Sequence, residues 1–88
     1  MTAPGVRAMA RSVSANDETL DLSGLLCPLP VLKAGKRLRA MQQGAVLRVI
    51  ATDPMSTIDM PHYCAEQGLR LLEQEEANGI FTFRIERT

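Results

Sequence analysis

Leu25-Leu26-Cys27-Pro28-Leu29-Pro30 sets one thiol directly before two prolines, after a turn at Gly24 and ahead of a basic amphipathic segment. Proline is favoured at the first helical position, where its missing N–H costs nothing and its φ is already helical. The spacing therefore predicts Pro28 as the first residue of a helix and Cys27 as its N-cap. A thiol at the positive end of a helix dipole becomes a thiolate more readily. The size of that effect predicts a Cys27 pKa lowered from about 8.5 to about 7–8. Pro28 and Pro30 have no N–H, which leaves the Leu29 amide as the first-turn donor toward the sulfur. Cys27 is thus the candidate nucleophile, with Pro28, Leu29 and Pro30 as its support. The same residues also fit a proline-terminated strand whose cysteine is merely small and apolar.

Asp53, directly before Pro54, is the second polar group of interest, and it reads as a helix cap rather than as a proton donor. Cys64 falls with Ile58, Pro61, Ala65 and Gly68 on one side of the helix that follows, which makes it a core residue. Two cysteines form no disulfide framework, and one histidine with two distant cysteines forms no structural zinc site. Neither a metal nor an organic cofactor is expected. Pro30 stands where a C-x-x-C pair would place its second cysteine, which argues against thioredoxin-type chemistry.

The elements that must position these groups follow from the periodicities. Met1 to Glu18 is rich in small residues without sustained periodicity and reads as a flexible arm, leaving 19–88 as one domain. Thr19 to Leu22 alternates like a strand. Pro28 to about Gln43 is a helix with an apolar stripe of Val31, Leu32, Ala34, Gly35, Leu38 and Met41. Gly35 is explained by a close approach to the sheet, and Gly44 by a helix stop. Ala45 to Ala51 is a second strand, parallel to the first in a right-handed unit. In such units ligands gather outside the carboxyl ends of the strands, so the Cys27 and Asp53 loops should be neighbours. Pro61 complicates the second helix, which either starts near Asp59 or opens on an irregular turn. Leu69 to Glu75 and Ile80 to Arg87 then form a hairpin about Asn78-Gly79. The order βαβαββ predicts an α+β two-layer sandwich, a mixed four-stranded sheet with two helices on one face. Val46 and Ile50 would lie on its open face.

Of the 88 residues, 45% are hydrophobic and 23% charged, with ten basic and ten acidic side chains in balance. That balance provides no global field to attract nucleic acid or a membrane. Tyr63, Phe81 and Phe83 are too few to stack bases, so direct nucleic-acid binding is not expected. No run approaches the roughly 20 apolar residues that span a bilayer. No secretory signal opens the chain, and a reducing cytoplasm is the expected location. The charges are nevertheless segregated. Lys33, Lys36, Arg37, Arg39 and Arg48 occur between Pro28 and Ile50 without an acidic residue, whereas seven acidic residues follow from Asp53 onward. Lys33, Lys36 and Arg37 are the candidate contacts to an acidic partner surface.

From about Thr19 to Arg87 the chain resembles the TusA/SirA-like sulfur-carrier family. The resemblance rests on Leu22-x-Gly24-Leu25-x-Cys27-Pro28-x-Pro30-Val31, on Asp53-Pro54, and on Asp59-Met60-Pro61-x-Tyr63-Cys64. It implies that Cys27 accepts a persulfide from a cysteine desulfurase or a rhodanese-like donor and passes it to an acceptor protein. Branches of the family serve tRNA thiolation, cofactor assembly or sulfur metabolism. Leu26 and Leu29 stand where tRNA-thiolation members tend to carry Arg and Glu, and Leu69 stands where they commonly have His. These changes make the rim of the cysteine more apolar. The alternative is a regulatory or protein-interaction module of the same fold, with the open sheet face as its contact surface.

Overall fold

The computed structural model describes residues 17–88, and there the strands and helices are ordered by where their backbone bonds can close. The elements are β1 (Asp17–Asp21), α1 (Leu29–Ala40), β2 (Val46–Ala51), α2 (Ser56–Gln67), β3 (Arg70–Ala77) and β4 (Ile80–Glu86). The arm expected over 1–18 lies outside the described residues up to position 16. Its last two residues, Asp17 and Glu18, already belong to β1. They do so because β1 pairs in parallel with β2 from Asp17↔Val46 to Asp21↔Ile50, a backbone pairing that side-chain alternation does not announce.

The sheet order is β1-β2-β4-β3, with β4 antiparallel to both of its neighbours. Leu47, Val49 and Ala51 of β2 lie opposite Ile85, Phe83 and Phe81 of β4 and share one face. Ala34 and Leu38 of α1 and Met60 and Cys64 of α2 cover that face to make the core. The fold is the expected α+β sandwich. Asn78 (φ 54°) and Gly79 (φ 80°) close the β3–β4 hairpin in the left-handed conformations that a tight two-residue loop demands.

Several boundaries differ from expectation, each for a local reason. The first helix ends at Ala40 rather than near Gln43, because Met41 turns extended. Gly44 (φ 87°) is therefore not the helix stop. It turns the chain into β2, donating its amide to the Arg87 carbonyl at 2.6 Å. The second helix takes the second of its two expected openings: i→i−3 bonds from Ser56 to Asp53 and from Thr57 to Pro54 make an irregular turn, and the helix runs from Ser56 with Pro61 inside. That start sets its phase, so Ser56, Met60 and Cys64 point inward while Ile58 points out. Leu32 of α1 is likewise exposed rather than part of the buried stripe.

Gly35 is explained by a helix, not by the sheet. A Cβ there would lie 2.3 Å from the Tyr63 hydroxyl and 2.8 Å from Cζ, so α2 places its tyrosine against α1 where no side chain intervenes. Gly35→Ala is expected to lower stability by about 1 kcal/mol, since overpacking outweighs the gain in helix propensity. In a Tyr63→Ala background the same change should instead raise stability by about 1 kcal/mol. Urea unfolding of the four proteins in the cycle reads the change of sign.

The open face carries Val46 and Ile50 as expected, but its outer side is ionic. Arg84 reaches Asp17 at 3.3 Å and Glu73 at 3.2 Å, and Arg70 lies 3.5 Å from Glu86. Such pairs contribute little to stability. They leave this face a charged lattice rather than an apolar docking surface.

Candidate functional site

Two loops leave the carboxyl ends of the parallel strands β1 and β2, and they are neighbours as the topology requires. Asp21 accepts from the Ser23 amide at 2.9 Å and from its hydroxyl at 2.6 Å, folding the first loop back on itself. Gly24 (φ 85°) then donates its amide to Thr52 Oγ1 at 2.8 Å, tying the first loop to the second. Asp53 makes the decisive connection. Its carboxylate is nearly buried, and Oδ2 accepts the Cys27 amide at 2.6 Å. Oδ1 accepts the Met55 amide at 3.1 Å, and the Asp53 carbonyl accepts from Ser56 at 2.9 Å to open α2. Asp53 is thus both the start of one helix and the clamp on the cysteine ahead of the other.

Cys27 itself is exposed. Its setting departs from expectation by one residue, and that residue matters. Pro28 occupies the cap position, Leu29 is the first residue of α1, and buried Pro30 the second. The Cys27–Pro28 peptide is cis. The Leu29 amide donates to the Leu26 carbonyl at 2.9 Å, so it is not a donor to the sulfur. Cys27 is consequently not the N-cap. Its Sγ instead donates to Asp59 Oδ2, on the first turn of α2, at 2.8 Å.

This partner reverses the expected acidity. The hydrogen bond to Asp59, then partial desolvation, then the charges of Asp59 and Asp53 push the Cys27 thiol up from its ordinary value. A carboxylate in contact with a thiol disfavours the thiolate more than a helix dipole favours it, because the dipole acts weakly and only within the first turn. At rest the candidate nucleophile is a neutral thiol.

The segments that carry Cys27, Asp53 and Asp59 also expose apolar side chains. Leu26 is 68% exposed, and Leu29, Leu32, Met55 and Ile58 are also open to solvent. Lys33 and Lys36 follow on the exposed side of α1 and line a shallow groove with Leu20 and Ala40. Arg37 borders the same groove but is not a free cation. It grips Glu18 of β1 through two contacts, Nε to Oε2 and Nη2 to Oε1 at 2.7 Å, and that hydrogen bonding holds the Glu18 carboxyl below its usual range. Arg37 thus ties α1 to β1 while its side chain stays 44% exposed.

Cys64 is a core residue, and burial pushes its thiol up to about 11. One thiol per native chain should therefore react with excess iodoacetamide near neutral pH, and two in denaturant. Mass spectrometry of the intact protein counts them. Among the described residues no group of three or more His, Cys, Asp or Glu is arranged to hold a metal ion. No helix among them is long and apolar enough to cross a membrane.

The structure thus brings Cys27, Asp53 and Asp59 together, while Lys33 and Lys36 line the groove beside Leu20 and Ala40. Asp59 is the residue that the sequence pattern quoted without assigning a role. Its signal was present. A helix starting just after Asp53-Pro54 places Asp59 on its first turn, beside the loop that holds Cys27.

A family profile described as sulfurtransferase TusA matches residues 18–87. A sulfur carrier protein TusA from Allochromatium vinosum is 49% identical over 72 residues, which cover 82% of this chain and 95% of that protein. The sulfur carrier protein TusA of Pseudomonas entomophila is 43% identical over 72 residues, covering 82% and 90% respectively. The crystal structure of a SirA-like protein from Desulfitobacterium hafniense superposes with a TM-score of 0.69 at 28% identity, over 77% of this chain and 93% of that one.

Proposed function

Because the chain belongs to the TusA family of sulfurtransferases, we propose that it is a sulfur carrier whose sulfur rides on Cys27 as a persulfide. The observation that carries this reading is the exposed Cys27 thiol on a loop fixed at both ends, in a segment that also exposes apolar side chains, while Cys64 is sealed in the core. In loading, the Cys27 sulfur, once deprotonated, attacks the outer sulfur of a donor persulfide. The donor S–S bond breaks, the donor leaves as a thiolate, and Cys27-S-SH remains. Delivery reverses the roles, with an acceptor thiolate taking the terminal sulfur. Thiolate fraction, leaving-group acidity and access set both rates. Pro28, Leu29 and Pro30 support this centre as backbone. They fix the start of α1, and the Leu29 amide closes the turn on Leu26.

The donor is a cysteine desulfurase or a rhodanese-like protein, and the acceptor is a second protein thiol in a reducing cytoplasm. Leu26 and Leu29, together with Lys33 and Lys36, form the surface these partners meet. Leucines where tRNA-thiolation relatives tend to carry Arg and Glu favour partners with apolar contact surfaces. The pathway served is tRNA thiolation, cofactor assembly or sulfur metabolism.

The test is incubation with a cysteine desulfurase and cysteine, followed by intact mass. A carrier gains one sulfur atom and loses it on reduction. An unchanged mass with both desulfurase and rhodanese donors would favour an interaction module instead.

A further inference from the structure

Asp53 and Asp59 both approach Cys27, but they are not equivalent. Both carboxylate oxygens of Asp53 are occupied by backbone amides. Among the described residues, the hydrogen bond recorded for the Asp59 side chain is the one from the Cys27 thiol. The charges acting on that sulfur are both negative, Asp59 from α2 and Asp53 from the loop after β2. The first charged side chain of α1 is Lys33, more than a turn beyond Cys27. On α2 the next titratable group is His62, which faces Glu66 at 3.3 Å. The thiol therefore meets its counter-group as a hydrogen-bond acceptor, and among the described residues no cation pairs with that carboxylate.

Resting on Cys27 as the sulfur-carrying residue, we propose that Asp59 latches it as a weakly nucleophilic thiol, and that the sulfur donor opens the latch by setting a basic side chain against the Asp59 carboxylate. The chemistry balances without a further reagent. Pairing of Asp59 with the incoming cation withdraws the acceptor from Sγ–H, and the thiol proton leaves to solvent. The Cys27 thiolate then bonds the donor's outer sulfur, and the donor's inner sulfur departs as a thiolate. The consequence is selectivity. Small electrophiles and oxidants meet a neutral thiol, whereas a docked donor meets a thiolate.

Two rates test this in the wild type, Asp59→Asn and Asp59→Glu. The first is alkylation of Cys27 by iodoacetamide from about pH 6 to about pH 10. The second is sulfur loading by a persulfide-bearing cysteine desulfurase at low and high salt. Asp59→Asn is expected to reach half its limiting alkylation rate at lower pH and to react about 3–10-fold faster near neutrality, while Asp59→Glu stays close to wild type. Asp59→Asn should load from the desulfurase no faster than wild type, and added salt should slow wild-type loading more than that of the variant. An alkylation profile in Asp59→Asn that is unchanged or slower overturns the latch. Loading that rises in proportion to alkylation overturns its release by a cation. If the asparagine variant fails to fold by circular dichroism, Asp59→Ser gives the same measurement. Should wild type take no sulfur from the desulfurase, the carrier reading and the release step fall together, while alkylation still decides the latch.

Discussion

Cys27→Ser is expected to abolish sulfur loading and leave the unfolding midpoint where it is. The side chain is exposed, the part-buried clamp on the loop is the Cys27 amide, which serine keeps, and a serine hydroxyl can replace the exposed Sγ hydrogen bond to Asp59. Surface substitutions of this kind rarely move stability, whereas a hydroxyl cannot carry a persulfide. Cys64→Ser should do the reverse. The residue is 2% exposed, in one core cluster with Met60 and Ala34, so a hydroxyl there lacks the setting it needs and costs about 1–3 kcal/mol. Loading should survive as long as the protein is folded. Intact mass after loading and urea unfolding, run on both variants, give opposite patterns.

Asp53→Ala is expected to have the largest effect on stability of any change at the site. Two amides, Cys27 at 2.6 Å and Met55 at 3.1 Å, lose their acceptor at once. Each part-buried donor left without a partner costs about 1–3 kcal/mol, so the loss is about 2–6 kcal/mol. Asp53→Asn should fall between. Its single amide oxygen serves one of the two donors, while its NH₂ group faces the other. Hydrogen exchange at the Cys27 and Met55 amides should accelerate in both variants, more so in Asp53→Ala. An unaltered midpoint with unaltered exchange would mean that the clamp contributes nothing.

The architecture was readable because it rests on periodicity and turn chemistry. Leu47, Val49 and Ala51 alternate with Arg48 and Ile50, Phe81, Phe83 and Ile85 do the same in β4, and Asn78-Gly79 marks the hairpin. Parallel β1 and β2 then forced the Cys27 and Asp53 loops together, which the Cys27 amide on Asp53 bears out. What periodicity does not contain is the phase at a helix start. A shift of one residue put Pro28 rather than Cys27 at the cap, and it committed the Leu29 amide to Leu26. The start of α2 at Ser56 turned Met60 inward, Ile58 outward, and Asp59 toward the thiol. The shift of the Cys27 thiol runs opposite to expectation chiefly because of that contact, which joins residues 32 positions apart and is a matter of tertiary structure. The Arg37 ion pair is hidden from the sequence for the same reason. Its partner, Glu18, lies in β1, where the residues read as the end of an arm.

Where the transferred sulfur resides is the most direct question to ask of the loaded protein. Trypsin separates the two cysteines, releasing Cys27 within Ser12–Lys33 and Cys64 within Val49–Arg70. After incubation with a cysteine desulfurase and cysteine, and alkylation to trap the persulfide, the additional sulfur should be found on Ser12–Lys33 alone. Finding it on Val49–Arg70, or on neither peptide while the desulfurase itself remains loaded, would contradict Cys27 as the carrier.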